Sequence, residues 1–222
     1  MPGLKDFAAV IFDMDGLVLD TESTYIAAWK QAANAMGYDF PDDFRVLLSG
    51  LHYRDVAQKL MQHYGAGFDL QTFNRLSAEI WCDYVNVHRI KVNPGFTELL
   101  DVLNRKNIPY CLATNSATVN ALECLQLAGI DNVFSLIVTR DHVPCGKPEP
   151  DIFLKAAELL QVDISRCLVL EDSDAGILAA SRAGAISVFI PSTAQIDPST
   201  VQLCDLMLSN LAELAEIIGA QA

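Results

Sequence analysis

The sequence predicts an α/β fold: a doubly wound parallel (Rossmann-like) sheet core carrying an inserted α-helical cap domain. Three observations predict it. Short, nearly continuous apolar runs alternate with helical patterns over most of the chain, as expected of parallel strands buried on both faces. That rhythm breaks between about residue 20 and residue 88, where helical patterns succeed one another without a strand. Four of the apolar runs end in polar or charged residues, and in open α/β sheets ligands bind outside the carboxyl ends of the strands.

The first run, "AAVIF" (Ala8 to Phe12), lies almost at the N-terminus and delivers Asp13-Met14-Asp15-Gly16. The stretches Glu22 to Tyr38, Tyr53 to Gly65 and Leu70 to His88 then read as three helices in succession. Asn93-Pro94-Gly95 marks the return to α/β character. From there "YCLAT" (Tyr110 to Thr114), "SLIVT" (Ser135 to Thr139), "CLVLE" (Cys167 to Glu171) and "SVFI" (Ser187 to Ile190) read as strands, with a weaker one at Asp205 to Leu208. Helical patterns separate them: Ala117 to Ala128 before Gly129, Pro150 to Leu160, Ala175 to Ala183 before Gly184, and Leu211 to Ile218 before Gly219. Glycine just past the last periodic residue is a common helix stop. The expected organisation is a core of residues 1–17 and 92–222 with a cap of residues 18–91. No internal repeat or low-complexity tract interrupts it.

Composition narrows the function classes. With 15 Lys+Arg against 28 Asp+Glu the net charge is -13, which repels nucleic acid and anionic membrane. The chain from Lys147 onward carries only Lys147, Lys155, Arg166 and Arg182 as basic residues, so no basic face hides there. Cys82, Cys111, Cys124, Cys145, Cys167 and Cys204 never form a C-x-x-C pair, and Cys111, Cys124 and Cys167 fall inside apolar patterns. They read as free thiols of a reducing compartment. The N-terminus lacks the apolar region and cleavage site of a signal peptide, and no apolar run approaches the roughly 20 residues of a membrane span. The cytoplasm is the expected location, and a small-molecule enzyme, monomeric or weakly dimeric, the expected class.

The chemistry gathers at the strand ends. The first delivers Asp13 and Asp15, the second Thr114-Asn115-Ser116, the third leads by a loop to Lys147-Pro148, and the fourth ends in Glu171-Asp172-Ser173. So many carboxylates at one edge need a cation. The ligands are all oxygen, with no His or Cys at metal spacing, and Mg2+ tolerates a few carboxylates plus water and a phosphate oxygen. The expected metal set is Asp13, Asp15, Glu171 and Asp172. Lys147, Thr114 and Asn115 would hold a phosphoryl group. Asp13 is the candidate nucleophile and Asp15 the candidate acid and base, with Lys147 and Thr114 completing the catalytic set.

In order and in context, Asp13-x-Asp15-Gly16, Thr114-Asn115-Ser116, Lys147-Pro148 and Glu171-Asp172-Ser173-x-x-Gly176 resemble the haloacid dehalogenase superfamily of phosphohydrolases. The helical insertion between the first and second motifs resembles the subfamily of β-phosphoglucomutase and small sugar-phosphate phosphatases. The resemblance implies Mg2+ held by Asp13, the Asp15 backbone carbonyl and Asp172, with Lys147 ordering nucleophile and phosphate.

Simpler readings stand beside these. Asp13-x-Asp15-Gly16 could begin a calcium loop, but Leu17-Val18-Leu19 is apolar where an EF-hand needs oxygen ligands. Thr114-Asn115-Ser116, and Asp172 or Ser173, could each cap the helix that follows. His52, His63, His88 and His142 are not at metal spacing, and Cys145 reads as a loop residue. Tyr25, Trp29, Met36, Met61 and Trp81 read mostly as the insertion's own core.

Among the superfamily's chemistries, Asp15 argues against a dehalogenase. A phosphonate-cleaving relative would use a cap lysine, and neither Lys30 nor Lys59 has a catalytic setting. A mutase of β-phosphoglucomutase type remains the alternative. Ser49 stands where that enzyme carries a lysine, Tyr53 about where it has an arginine, and Tyr25 in place of its histidine, while Arg54 could compensate. The expected activity is hydrolysis of a small phosphorylated metabolite, with Glu22, Gly50, His52, Tyr53 and Arg54 as specificity residues.

Overall fold

The computed structural model describes residues 7–48, 53–193 and 196–220. Its elements run in chain order as β1 (Ala9–Phe12), α1 (Thr21–Ala35), α2 (Asp42–Leu48), α3 (Tyr53–Tyr64), α4 (Leu70–His88), α5 (Phe96–Arg105), β2 (Tyr110–Ala113), α6 (Thr118–Ala128), β3 (Ile137–Val138), α7 (Asp151–Leu160), β4 (Cys167–Glu171), α8 (Asp174–Ala183), β5 (Ile186–Phe189), α9 (Pro198–Leu203), β6 (Leu206–Met207) and α10 (Leu211–Gly219). The chain splits into two compact units, Met1–Leu19 with Val92–Ala222, and Asp20–Lys91. The first unit thus keeps Val18 and Leu19, because Leu19 bridges to both Asp15 and Val92.

The first unit is an α/β layer structure. Its six-stranded sheet has the order β3-β2-β1-β4-β5-β6, and each adjacent pair is parallel. The expected doubly wound sheet is therefore present. β1 sits between β2 and β4, in register Val10 with Tyr110 and Val10 with Leu168. All four residues of β1 and all five of β4 are buried, which is why neither alternates in polarity. One apolar layer joins Ile11, Cys111, Val138, Ile152, Phe153, Val169 and Ala180. On the other, Phe12, Phe96 and Phe134 meet edge to face or tilted, with centroids 5.6–5.9 Å apart.

The glycine stops at Gly129 and Gly184 hold: both close their helices at positive φ, 72° and 77°. Gly219 does not act that way. α10 runs through it, and Ala220 closes the helix in the right-handed region.

Among its described residues the second unit has helices α1 to α4 joined by turns, and no strand. Helices α1 and α4 pack along each other, and Asp20 and Asp69 cap them through Ser23 and Thr72. Its core gathers Ala32, Phe40, Phe44, Leu60, Phe68 and Phe73, with Trp29 and Met36 packed against it. Tyr25 stacks on Trp81 at 5.3 Å, and the Trp81 Nε1–H donates to Thr24 Oγ1 at 2.9 Å. Met61 is partly exposed rather than core. Among the described residues, no helix is long and apolar enough to cross a membrane.

Candidate active site

The site lies where β1, β2 and β4 end and where the loop after β3 returns. Asp13 directly follows β1, and its N–H donates to the Leu170 carbonyl at 3.0 Å, continuing the ladder one residue past the strand. The chain then folds back tightly, with the Val18 and Leu19 N–H groups both reaching Met14 O. Gly16 makes this turn at a φ of 86°. Any side chain there is strained, and a Cβ would lie 2.0 Å from Asp172 Oδ2. Asn93 fastens the turn through Nδ2, which donates to the Gly16 and Leu17 carbonyls at 2.7 and 2.9 Å.

Four groups meet here. The Lys147 ammonium is paired with Asp13 Oδ1 and lies 2.6 Å from Glu171 Oε1, and it donates to the Ala113 carbonyl at 2.9 Å. Its side chain is only 4 % exposed, so the pairing is dry. Glu171, fully buried on the last position of β4, turns its other oxygen to Ser173 Oγ (3.0 Å) and to the N–H groups of Asp172 and Ser173. Asp13, Glu171 and Asp172 each bring a carboxylate oxygen within 4.8 Å of the others.

Burial drives the electrostatics. It pushes the Asp13 carboxyl up to about 8; Glu171 and Asp15 add to the rise and Lys147 opposes it. Burial, with Asp13 and Glu171 beside it, also raises Asp172 well above the ordinary carboxylate range. Burial works against the Lys147 ammonium, but Asp13 and Glu171 outweigh it and hold that group above its usual value. Three carboxylates thus face one ammonium, and without a further cation the cluster retains a proton. An all-oxygen set with excess negative charge fits a hard divalent metal.

Asp15 is separate from this cluster in its side chain. Its Oδ2 accepts from Ser116 Oγ at 2.8 Å and from Thr114 Oγ1 at 3.3 Å. Asp13 and Asp15, with one residue between them, therefore serve different neighbours. Thr114 is buried and also accepts the Ser116 N–H at 3.0 Å. The capping alternative for this segment fails: Ala117 is the cap residue and has no side-chain bond, while Asp141 accepts the Thr118 N–H. Ser173 does cap α8, accepting from the Gly176 N–H at 3.1 Å. The Asn115 amide is turned to the Lys147 backbone, accepting its N–H at 2.8 Å and donating to its carbonyl at 3.0 Å.

A family model described as haloacid dehalogenase-like hydrolase matches residues 7–184, more than half of the chain. The chain belongs to the haloacid dehalogenase-like hydrolases. Within that family it is 35% identical over 176 residues to a phosphorylated carbohydrates phosphatase of Thermotoga maritima, covering 79% of this chain and 81% of that one. It is also 32% identical over 188 residues to a β-phosphoglucomutase of Bacillus subtilis, covering 81% of each chain. Among solved structures, a putative β-phosphoglucomutase from Thermotoga maritima superposes with a TM-score of 0.82 at 28% identity, over 96% of this chain and 99% of that one.

The expected specificity residues of this haloacid dehalogenase-like hydrolase belong to the helical unit. Glu22 lies in the first turn of α1 and is partly buried. Gly50 and His52 lie outside the described residues. Tyr53 and Arg54 open α3, and their side chains are likewise outside the described part. Cys145 is an exposed thiol, whereas Cys111, Cys124 and Cys167 are buried as their apolar settings required. Two residues near the site were not marked for it in the sequence. Asn93, which fastens the Gly16 turn, looked like turn punctuation, and Arg140, whose guanidinium donates to carbonyls of the loop leading to Lys147, carried no motif.

Proposed function

We propose that the chain is a Mg2+-dependent phosphatase that hydrolyses a small phosphorylated metabolite, a sugar phosphate or similar phosphomonoester, through a phosphoryl group carried on Asp13. The observation that carries this reading is the buried Asp13–Lys147–Glu171–Asp172 cluster, which holds more carboxylates than its single ammonium can neutralise.

Asp13 and Asp172 would hold the cation, with the Asp15 main-chain carbonyl beside them as the family resemblance implies. Glu171 supports them from behind, because its oxygens already face Lys147 and the Ser173 turn. When bound, the divalent ion draws charge from the phosphoryl oxygens and offsets repulsion between them and the attacking carboxylate.

The chain's own groups do the rest. Lys147 keeps the Asp13 side chain in one orientation and offers its charge to the phosphoryl group that displaces part of that pairing. The Asp13 oxygen attacks phosphorus, the P–O bond to the substrate breaks, and the departing oxygen takes a proton from Asp15. Asp15 then removes a proton from water, whose oxygen attacks phosphorus and frees Asp13 and inorganic phosphate. The Ser116 and Thr114 hydroxyls fix the Asp15 carboxyl away from the metal cluster, so the two aspartates do not exchange roles.

Similarity to a β-phosphoglucomutase favours a second reading, transfer of the phosphoryl group to a sugar hydroxyl. One experiment separates them. A panel of hexose and pentose phosphates is incubated with Mg2+ or EDTA while released phosphate and isomerised sugar phosphate are both measured. Metal-dependent phosphate release supports the phosphatase. Interconversion of sugar 1- and 6-phosphates without net release supports the mutase. Neither product from any compound removes both.

A further inference from the structure

We propose that Arg140 is a positioning residue for Lys147, bracing the loop that carries it against the loop that carries Thr114 and Ser116. The proposal rests on the reading of Lys147 given above. Arg140 opens a 3-10 turn, Arg140–His142, one residue beyond the end of β3. Its guanidinium spans two successive carbonyls, donating to Val143 O at 2.8 Å and to Pro144 O at 3.0 Å. Its own N–H donates to the Ser116 carbonyl at 3.1 Å. One residue therefore joins the end of the β2 loop to the approach to Lys147.

The packing makes the brace specific. A Cβ at Gly146 would fall 2.7 Å from Arg140 Cδ and 2.4 Å from Asn115 Oδ1. The arginine stem and the Asn115 amide thus lie close against the bare residue 146, and Asn115 holds both main-chain polar groups of the next residue, the N–H and carbonyl of Lys147. The brace ends where the lysine side chain begins its descent to Asp13 and Glu171. The rigid guanidinium fork matches two carbonyls; a lysine ammonium, a point donor, would favour one of them.

Freed of Arg140, the loop loses its fixed register and the Lys147 ammonium drifts. A displacement of about 1 Å at a catalytic group can cost on the order of 100-fold in rate. Arg140→Ala should therefore lower kcat about tenfold or more, weaken inhibition by inorganic phosphate severalfold, and speed amide hydrogen exchange across residues 143–149. Arg140→Lys should restore part of the exchange protection. In a Lys147→Met background, Arg140→Ala should no longer change phosphate affinity, since a residue acting through Lys147 has nothing left to position. Equal weakening of phosphate binding with and without Lys147 would overturn the proposal, as would unchanged exchange across 143–149 in Arg140→Ala. The exchange measurement makes no use of substrate, so failure of the brace is distinguished from failure of the phosphatase reading. Should Lys147→Met not fold, exchange and kcat in the two Arg140 variants still decide.

Discussion

Gly176→Ala sets helix propensity directly against site geometry. Gly176 is the third residue of α8 and lies in ordinary helical backbone, where alanine is normally better than glycine by about 1 kcal/mol. A Cβ there, however, would fall 1.8 Å from Glu171 Cδ and 2.0 Å from each of its carboxylate oxygens. Glu171 is fully buried and cannot swing into solvent. The carboxylate must move, and with it the 2.6 Å pairing to Lys147 and the bonds to the Ser173 turn. Overpacking a core costs about 1–3 kcal/mol, and disrupting one partner of a buried ion pair about 3–5. The two are one displacement of the same carboxylate, so the larger cost sets the figure: less the propensity gain of about 1 kcal/mol, the net loss should be about 2–4 kcal/mol, or roughly 5–15 °C in Tm for a chain of this size. Thermal unfolding with phosphate-release kinetics is the assay, and Gly67→Ala is the control. Gly67 has nothing within 4 Å of its would-be Cβ, so alanine there should be neutral or stabilise by up to about 1 kcal/mol. A Gly176→Ala protein as stable and active as the parent would refute the reasoning, because Glu171 would then not be held where the site needs it.

Other perturbations probe the remaining parts. Asp15→Asn should lower turnover by about 100- to 10,000-fold, the usual range for an acid–base group, while leaving Mg2+ affinity within a few-fold; an equal collapse of metal binding would place the Asp15 carboxylate in the metal shell. Ser116→Ala removes the 2.8 Å donor to Asp15 and should cut kcat by about tenfold at little cost in Tm; an unchanged kcat would show that this bond does not position Asp15. The Asp13 carboxyl is raised in the folded protein to about 8, so its protonated form favours folding. That contribution is fully present below its ordinary value of 3.8 and is lost as pH rises through about 8. Metal-free protein should accordingly lose stability across that window, and the Tm gained on adding Mg2+ should be larger at pH 8 than at pH 5.5. An equal gain at both would show that the metal does not meet the charge on Asp13.

Much of the fold was legible because its strands are buried on both faces. β4 follows the expected Cys167 to Glu171 run residue for residue, and β1 and β2 differ from expectation by one end residue. β3 shrinks from five expected residues to two because it is the sheet edge, where only one neighbour holds it in register. Helices α2 and α9, at seven and six residues, are too short to establish a helical period, and Asp197 and Pro198 signal the start of α9 only locally. The motif aspartates could be found because each stands just past a strand end, and Lys147 because the loop after the third strand leads to it. What the chain order hid was direction. Asn115 looked like a phosphate ligand but points its amide at the Lys147 backbone, and Glu171 looked like a metal ligand but also serves as the counter-ion of Lys147. Gly176 stood in a motif, but why that position must lack a Cβ shows only in the Glu171 carboxylate beside it, whereas Gly67 faces open space.

The most direct test of the central claim is to quench the reaction in acid during turnover of a phosphate-labelled sugar phosphate and to look for label on the protein. Transient, hydroxylamine-sensitive label is expected on the peptide containing Asp13, dependent on Mg2+ and absent from Asp13→Asn. Full turnover with no label on that peptide, or label that persists in Asp13→Asn, would contradict it.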